Sequence, residues 1–376
     1  MACPTRTAAL IAGILAWSGA PLAANLNDSG LVRCLDTQTG KFGTQCAGTG
    51  QDGEFGRDRS HPRSTDGAAG FRFVKVCHSG EQAGQGACPA EPVLGTGLDQ
   101  WGCTRDQVTG IWWEIKTADG GLRDWNKSYT RLAPSQSGYG AKNDAAGYLN
   151  AVNAAGLCGH TDWQLPTPTA LHSLTHYGVQ VANNVPTIDA AFFPNTWYGA
   201  NWSSLSAADS DVKSWFVHFD TDYIGRTDGT IFKRVRLARL DAYTRPAKFK
   251  FADDGSEVTD QRTGLVWRRC AEGQAWDGLD CSGTPSLHTW QQALDLAVTT
   301  GGGWRLPSAK ELATLVDRTR IAPAIDLTVF PSAPADKHWS STPIIGMPAQ
   351  AWHVEFGVGE VFRTTRETTL AVRLVR

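Results

Sequence analysis

Trp304-Arg305-Leu306-Pro307 repeats an earlier stretch of the same chain, Trp163-Gln164-Leu165-Pro166. The repetition continues towards the C-terminus: Trp202-Ser203-Ser204 returns as Trp339-Ser340-Ser341, and Val235-Arg236-Leu237-Ala238-Arg239 returns as Val372-Arg373-Leu374-Val375-Arg376. The offset is 141 residues for the first pair and 137 for the other two. Solenoid repeats are several-fold shorter, roughly 20–50 residues. The sequence therefore contains two copies of one domain.

The two copies differ in length mainly in their first halves. Asp106-Gln107-Val108-Thr109-Gly110 and Asp260-Gln261-Arg262-Thr263-Gly264 are 154 residues apart, so the offset shrinks towards the C-terminus. Residues 114–158 hold a Gly-, Ser- and Asn-rich stretch that the second copy shortens, as expected for surface loops. We assign the first module to residues 101–240 and the second module to 253–376.

Local patterns predict an α+β fold for each module. Helices are expected where apolar residues recur with helical spacing after a capping residue, at 144–155, after Thr167 or Thr169, at 289–298 and at 309–317. Strands are expected at 71–76 and 111–115. Apolar and polar residues alternate in Trp352–Phe356 and Val372–Leu374, which predicts half-buried antiparallel strands.

The N-terminus has the order of a secretory signal. Arg6 precedes an apolar run from Ala8 to Trp17, and small residues follow up to Ala24. The run is too short to span a bilayer comfortably, so we expect residues 1–24 to be a signal peptide cleaved near Ala24; a retained anchor is the alternative. No other segment approaches the length of a transmembrane helix. The mature protein is expected in the periplasm, at the cell surface or outside the cell.

Eight cysteines follow the signal, and an even number in an exported protein indicates disulfides. Three pairs each enclose a short polar loop, which leaves one long-range pair: Cys34 with Cys46, Cys77 with Cys88, Cys270 with Cys281, and Cys103 with Cys158. A zinc site is the competing interpretation, but the chain has no Cys-x-x-Cys motif. Residues 25–100 are therefore expected to form a cysteine-stapled region of loops and hairpins, packed on the first module. A short connection, Asp241–Lys250, joins the modules.

Composition and motifs exclude several function classes. The net charge is −2, so the chain has no global basicity for nucleic acid. Its nine histidines are scattered, without a His-Glu-x-x-His pair, and Gly-x-Ser-x-Gly is absent. Four aspartates cluster in the first module, and we expect a solvated acidic loop there rather than a calcium site: Asp209, Asp211, Asp220 and Asp222. We expect no enzymatic activity, no cofactor and no metal.

Basic residues near the end of each module are the candidate ligand-binding groups. Guanidinium and ammonium groups there could contact sulfate or carboxylate groups of a polysaccharide. The candidates are Arg226, Lys233, Arg234, Arg239, Arg363 and Arg366. An ordinary charged strand face is the alternative, with Arg236 and Arg373 in structural roles. The six repeated tryptophans are expected to fill the core, and the alternative is a solvent-exposed aromatic platform for sugar rings: Trp163, Trp202, Trp215, Trp304, Trp339 and Trp352.

The repeated motifs together resemble the Lcl C-terminal domain family, named after a collagen-like bacterial adhesin. The resemblance rests on Asp260-x-x-Thr263-Gly264-Leu265-x-Trp267, Trp304-Arg305-Leu306-Pro307-Ser308-x-x-Glu311-Leu312, Ile325-Asp326, Phe330-Pro331, Trp339-Ser340-Ser341, Trp352-His353-Val354-Glu355-Phe356 and Val372-Arg373-Leu374-Val375-Arg376. It implies two tandem C-type-lectin-like modules, secreted or surface exposed. In the named adhesin the domain attaches to sulfated glycosaminoglycans. This chain departs from that adhesin, because it lacks collagen-like Gly-x-x repeats and carries two modules.

These observations favour an exported, non-enzymatic binding or adhesion protein. Acidic polysaccharide is the first expected ligand class and a surface protein the second. The alternative is a structural or accessory subunit of a surface filament or other extracellular assembly, with homo- or hetero-association. An exposed apolar patch would favour assembly, whereas a basic groove with exposed indoles would favour glycan binding.

Overall fold

The computed structural model describes residues 26–61, 63–181, 184–240 and 249–376. The predicted signal peptide and most of the connection between the modules lie outside these residues. The fold is α+β: small antiparallel sheets dominate, and five short helices occur in the described parts of the chain.

The N-terminal region contains short elements and one longer strand. Its elements are β1 (Cys34–Leu35), β2 (Phe42–Gly43), α1 (Gly56–Ser60), β3 (Arg63–Ser64), β4 (Gly67–Ala68) and β5 (Phe73–Cys77). The first module contains β6 (Trp101–Asp106), β7 (Trp112–Glu114), α2 (Ala145–Ala154), α3 (Pro168–His172), β8 (Ala200–Ala207), β9 (Ser210–His218), β10 (Ile224–Asp228) and β11 (Ala238–Arg239).

The second module repeats most of this order. It contains β12 (Phe249–Phe251), β13 (Glu257–Asp260), β14 (Val266–Arg268), β15 (Ala275–Trp276), β16 (Cys281–Ser282), α4 (Trp290–Thr300), α5 (Ala309–Ala313), β17 (Lys337–Pro343), β18 (Gln350–Glu355) and β19 (Glu360–Thr365). Helix α5 begins at Ala309 with Ser308 as its N-cap, as predicted, and a capping box forms in which Ser308 and Glu311 satisfy each other's main-chain N–H groups. It ends four residues earlier than predicted, at Ala313.

In the structure, each module begins with a strand that precedes the repeated sequence. Strand β5 pairs with β6 so that Phe73 faces Asp106, and β12 pairs with β13 so that Phe249 faces Asp260. The Phe73 ring packs edge-on against Phe193 at 5.0 Å, as the Phe249 ring does against Phe330 at 5.6 Å. The end of the connection therefore belongs to the second module as its first strand.

The two modules share one six-stranded antiparallel sheet. Its order is β17-β18-β19-β10-β9-β8, and β10 joins β19 through Ile224 opposite Val361. Each module thus contributes three equivalent strands, and the two copies meet edge to edge. This pairing covers two strand edges that would otherwise expose unpaired main-chain groups.

The N-terminal region packs on both modules rather than on the first alone. Strand β5 extends the four-stranded sheet β11-β7-β6-β5 of the first module. Leu35 lies in the core of the second module with Trp290 and Trp339. Leu31 lies in the large core cluster that draws residues from both modules.

All four predicted disulfides are confirmed: Cys34–Cys46, Cys77–Cys88, Cys103–Cys158 and Cys270–Cys281. The predicted Asp-x-x-Thr-Gly turns also form. Asp106 Oδ1 accepts hydrogen bonds from the main-chain N–H groups of Val108 and Thr109, and Gly110 adopts a φ of 78° that favours glycine.

The C-terminal segment of the second module differs from the prediction. Val372, Arg373 and Leu374 are all buried and form no strand, and isolated bridges flank them at Leu370, Ala371 and Val375. The reason is that Arg373 points inward, where its Nη1 donates to the main-chain carbonyls of Arg268 and Arg269. Arg236 does the same in the first module, donating to the carbonyl of Glu114 at 2.6 Å. These two arginines are structural.

The alternating apolar and polar residues of β18 do not leave one face of the strand exposed to solvent either. His353 is buried together with its neighbours Trp352 and Val354. Helix α5 contacts β18, and the His353 ring lies between Trp339 and Phe362, at 6.4 and 6.5 Å. Both faces of this strand are therefore covered.

Candidate functional site

The repeated tryptophans lie mostly in the core, as predicted. Trp163 is 2 % exposed. Four others are at most 1 % exposed: Trp202, Trp215, Trp339 and Trp352. Trp304 is the exception. It is half-buried, with the guanidinium groups of Arg268 and Arg376 at 4.9 and 4.6 Å from its ring. Each of these arginines is paired with a glutamate.

Two of the six predicted basic residues are paired with carboxylates, and two others are half-buried. Arg226 pairs with Asp209 and lies 3.9 Å from Glu360. Arg239 donates from Nε to both carboxylate oxygens of Asp162. The remaining two are Arg363, which is half-buried on β19, and Arg366, whose guanidinium lies 5.7 Å from the Trp290 ring.

Lys233 and Arg234 are neighbours in the chain but contact different rings. Lys233 Nζ lies 4.3 Å from the Phe216 ring and 5.2 Å from Trp202, so its stem packs on the core. Burial lowers the pKa of Lys233. The Arg234 guanidinium lies 4.8 Å from the Trp197 ring. Arg234 is therefore the predicted residue that the fold places beside accessible aromatic groups.

Three half-buried rings form a stack next to Arg234. Trp125 and Trp197 are parallel within 22° at 5.9 Å, and Trp197 and Tyr198 within 28° at 4.2 Å. We call Trp125, Trp197 and Tyr198 the aromatic platform. Arg234 Nη2 also donates to Asn126 Oδ1 at 3.2 Å, which fixes the guanidinium against the platform.

The loop that supplies Trp125 is built by aspartate turns. Asp124 accepts hydrogen bonds from the main-chain N–H groups of Asn126 and Gly120, and Asp119 accepts one from Gly121. Such side chains stabilise tight turns through their own backbone. The loop lies in the stretch 114–158, which the second copy shortens.

Gly199 lets the Trp197 indole lie against the main chain. A Cβ at position 199 would lie 2.3 Å from Trp197 Nε1, closer than real contacts allow. The glycine is needed here for space, because its φ is not in the left-handed region.

The second module has no counterpart of this surface. At the offset of 137 residues, Trp197 and Tyr198 correspond to Pro334 and Ala335, and Arg234 corresponds to Ala371. The sequence alone did not single out the platform residues, since they are not repeated and are distant along the chain. The feature of the sequence that could have indicated the platform is the difference between the two copies at these positions.

The acidic residues of the first module do not form one solvated loop. Asp222 is buried and accepts a hydrogen bond from Thr187 Oγ1. Burial raises its pKa well above the ordinary value for aspartate. Asp209 instead pairs with Arg226. The prediction of a solvated loop was wrong for Asp222, because a turn after β9 folds this side chain inward.

The family model of the Lcl C-terminal domain matches residues 102–239 and again residues 256–376. The chain belongs to the Lcl C-terminal domain family. No curated protein matches the sequence. Membership of the Lcl C-terminal domain family indicates a surface-associated protein. The disulfides fit an extracellular setting.

Both matched segments contain one complete set of the repeated motifs. The platform and Arg234 lie within the first match, whereas residues before 102 lie outside both. In the part of the chain that the structure describes, we find no helix with the length and apolarity needed to cross a membrane.

Proposed function

We propose that this protein is an exported, non-enzymatic binding protein whose first module binds acidic polysaccharide. The aromatic platform and Arg234 are the site, within a module of C-type-lectin-like fold. The observation that carries the proposal is the Trp125–Trp197–Tyr198 stack with a guanidinium fixed beside it.

The two halves of the site suit the two chemistries of an acidic sugar. The C–H face of a pyranose ring is apolar, so it can pack on an indole as other apolar groups do. A guanidinium presents several N–H donors in a plane, which matches the oxygens of a sulfate or carboxylate group. Lys127 lies exposed in the same loop, two residues after Trp125, and adds positive charge.

Charge compensation distinguishes this surface from the arginine and tryptophan contacts at Trp304. Arg268 and Arg376 beside Trp304 are paired with Glu272 and Glu257, at 2.8 and 2.7 Å. The hydrogen bond of Arg234 goes to a neutral amide, that of Asn126. Asp124 in the same loop offsets part of the charge of Arg234, and the rest is available to an anionic ligand.

The test is titration of the mature protein with heparan sulfate oligosaccharides, at low and high salt, by biolayer interferometry. Trp197→Ala should weaken binding by about tenfold, which corresponds to about 1.4 kcal/mol of stacking. Arg234→Gln should weaken it similarly and reduce its salt dependence, because exposed charges are screened by salt.

Matched controls come from the second module. Trp276→Ala removes a half-buried indole and Arg320→Gln an exposed arginine, each outside the platform. Both should bind like the wild type. The proposed site would be refuted if the two platform variants bound the oligosaccharides as tightly as the wild type. Equally strong binding of neutral dextran by the wild type would also refute it.

The alternative role in a surface assembly is favoured by one observation. Three apolar side chains of the first module are about half exposed near each other in the β9 to β11 region: Val212, Ile231 and Phe232. Gly229 N donates to Val212 O at 2.8 Å, which holds these two segments together. Light scattering of the mature protein across concentrations tests it: association lost in Phe232→Ser would support assembly.

A further inference from the structure

Three aspartates of the N-terminal region converge outside both family segments. One carboxylate oxygen from each of Asp28, Asp52 and Asp58 lies within 4.8 Å of the other two. Asp52 and Asp58 are buried, at 4 and 0 % exposure. We propose that these three carboxylates form a binding site for a divalent cation, with calcium the best fit.

An unpartnered oxygen in the cluster points to a ligand. Asp58 Oδ2 accepts a hydrogen bond from Ser29 Oγ at 3.0 Å, but Oδ1 has no hydrogen-bond partner among the described residues. A buried carboxylate oxygen without a donor is costly. A cation bound among the three carboxylates would satisfy it.

The local charge balance leaves room for two positive charges. Lys310 is the buried cation nearby, and its Nζ donates to the main-chain carbonyls of Asp28 and Ser173 instead of to a carboxylate. Its charge offsets one of the three carboxylates. Arg305 is paired with Glu311 at 2.6 Å and adds no net charge. With all three carboxylates ionised, as they would be around a bound cation, two negative charges remain for a divalent ion to neutralise.

The carboxylates are held in place before any ion binds. Asp28 Oδ1 accepts a hydrogen bond from Ser29 N, and Oδ2 accepts from Asp58 N at 3.0 Å. Asp52 Oδ2 accepts from Thr342 Oγ1 at 2.6 Å. Gly56 has a φ of 89°, and a Cβ there would lie 2.0 Å from Asp28 Oδ2. The chain therefore has a glycine where Asp28 needs space.

Coordination geometry favours calcium over magnesium. Ca²⁺ accepts oxygen ligands in flexible geometry, whereas Mg²⁺ requires near-ideal octahedral geometry and keeps several of its waters. Three carboxylate oxygens within 4.8 Å of one another are compatible with the more adaptable ion. A surface cavity of about 350 Å³, lined by Asp28 and Gly56 among others, gives solvent a route to the cluster.

The position of the site defines what the ion would do. All three aspartates belong to the N-terminal region, and Thr342 on β17 of the second module donates a hydrogen bond to the Asp52 carboxylate. Lys310 links the same cluster to Ser173 in the first module. A bound cation would therefore fasten the N-terminal region to the joined modules.

The experiment is calcium titration of mature protein stripped with EDTA and exchanged into metal-free buffer. Isothermal calorimetry should give one site per chain, and calcium at a hundredfold excess over Kd should raise the melting temperature by about 3 °C or more. Asp52→Asn and Asp58→Asn should lose both responses. Asp253→Asn, at an exposed position of the second module, should keep them.

A second readout separates a cation site from carboxylates that merely share protons. In EDTA, Asp58→Asn should melt at or above the wild-type temperature, because it removes a repulsive charge. If the variant does not fold, the wild-type titration still decides. Absence of heat and of any melting shift with calcium would overturn the proposal, as would a stronger response to magnesium than to calcium.

Discussion

The long-range disulfide offers the prediction with the best-defined magnitude. Cys103 on β6 and Cys158 after α2 are 55 residues apart, and both are fully buried. A cross-link that closes a loop of this length lowers the entropy of the unfolded chain by about 14 cal/mol/K, or about 4 kcal/mol at 25 °C. The Cys270–Cys281 bond closes 11 residues, which gives about 3 kcal/mol.

The perturbation is the double substitution of each pair by alanine. Cys103→Ala with Cys158→Ala should lower the free energy of unfolding by about 1.4 kcal/mol more than Cys270→Ala with Cys281→Ala. Both pairs are buried, so the cost of the small cavities should be similar. Urea unfolding followed by tryptophan fluorescence measures the difference. An equal or larger loss for the short loop would refute the loop-length argument.

Three further predictions concern titration, core polarity and the platform. His338 is buried and its pKa is lowered to about 3, mainly by burial, so the unfolded chain binds more protons below pH 6.5. Stability should fall as pH drops from about 6.5 towards 4, and His338→Asn should reduce that slope by about 1.4 kcal/mol per pH unit in acid unfolding curves; an unchanged slope would contradict the assignment. Arg373→Met should destabilise the protein by about 2–3 kcal/mol in urea, because two buried carbonyls lose their donor, and a loss below about 0.5 kcal/mol would show that water replaces the guanidinium. Gly199→Ala should displace the Trp197 indole and weaken glycan binding several-fold with little change in melting temperature; unchanged binding would count against the platform.

Local features of the fold were predictable from the sequence. The disulfides followed from short polar loops between cysteines, and Ser308 with Glu311 is a capping pair visible in the chain. The edge-to-edge contact of β10 with β19 was not predictable, since it depends on how two folded modules meet. The strand predicted at Val372–Leu374 does not form. The alternating polar residue, Arg373, donates hydrogen bonds to buried carbonyls instead of facing water.

The candidate site was only partly predictable for the same reason. Arg234 was among the predicted basic residues, but Trp125 and Trp197 are brought to it by the loop insertion and by the segment that precedes β8. Asp52 and Asp58 lie in a region that the sequence describes only as loops, and their convergence depends on tertiary folding. Repetition identified the shared skeleton, while the unrepeated residues carry the proposed functions.

Indole NMR signals provide the most direct test of glycan binding at the platform. In protein labelled with ¹⁵N-tryptophan, addition of a heparan sulfate oligosaccharide should shift the Nε1–H signals of Trp125 and Trp197. The signals of Trp276 and Trp304 in the second module should stay in place. Shifts confined to the second module, or no shift at saturating oligosaccharide, would contradict the proposal that the first module carries the binding site.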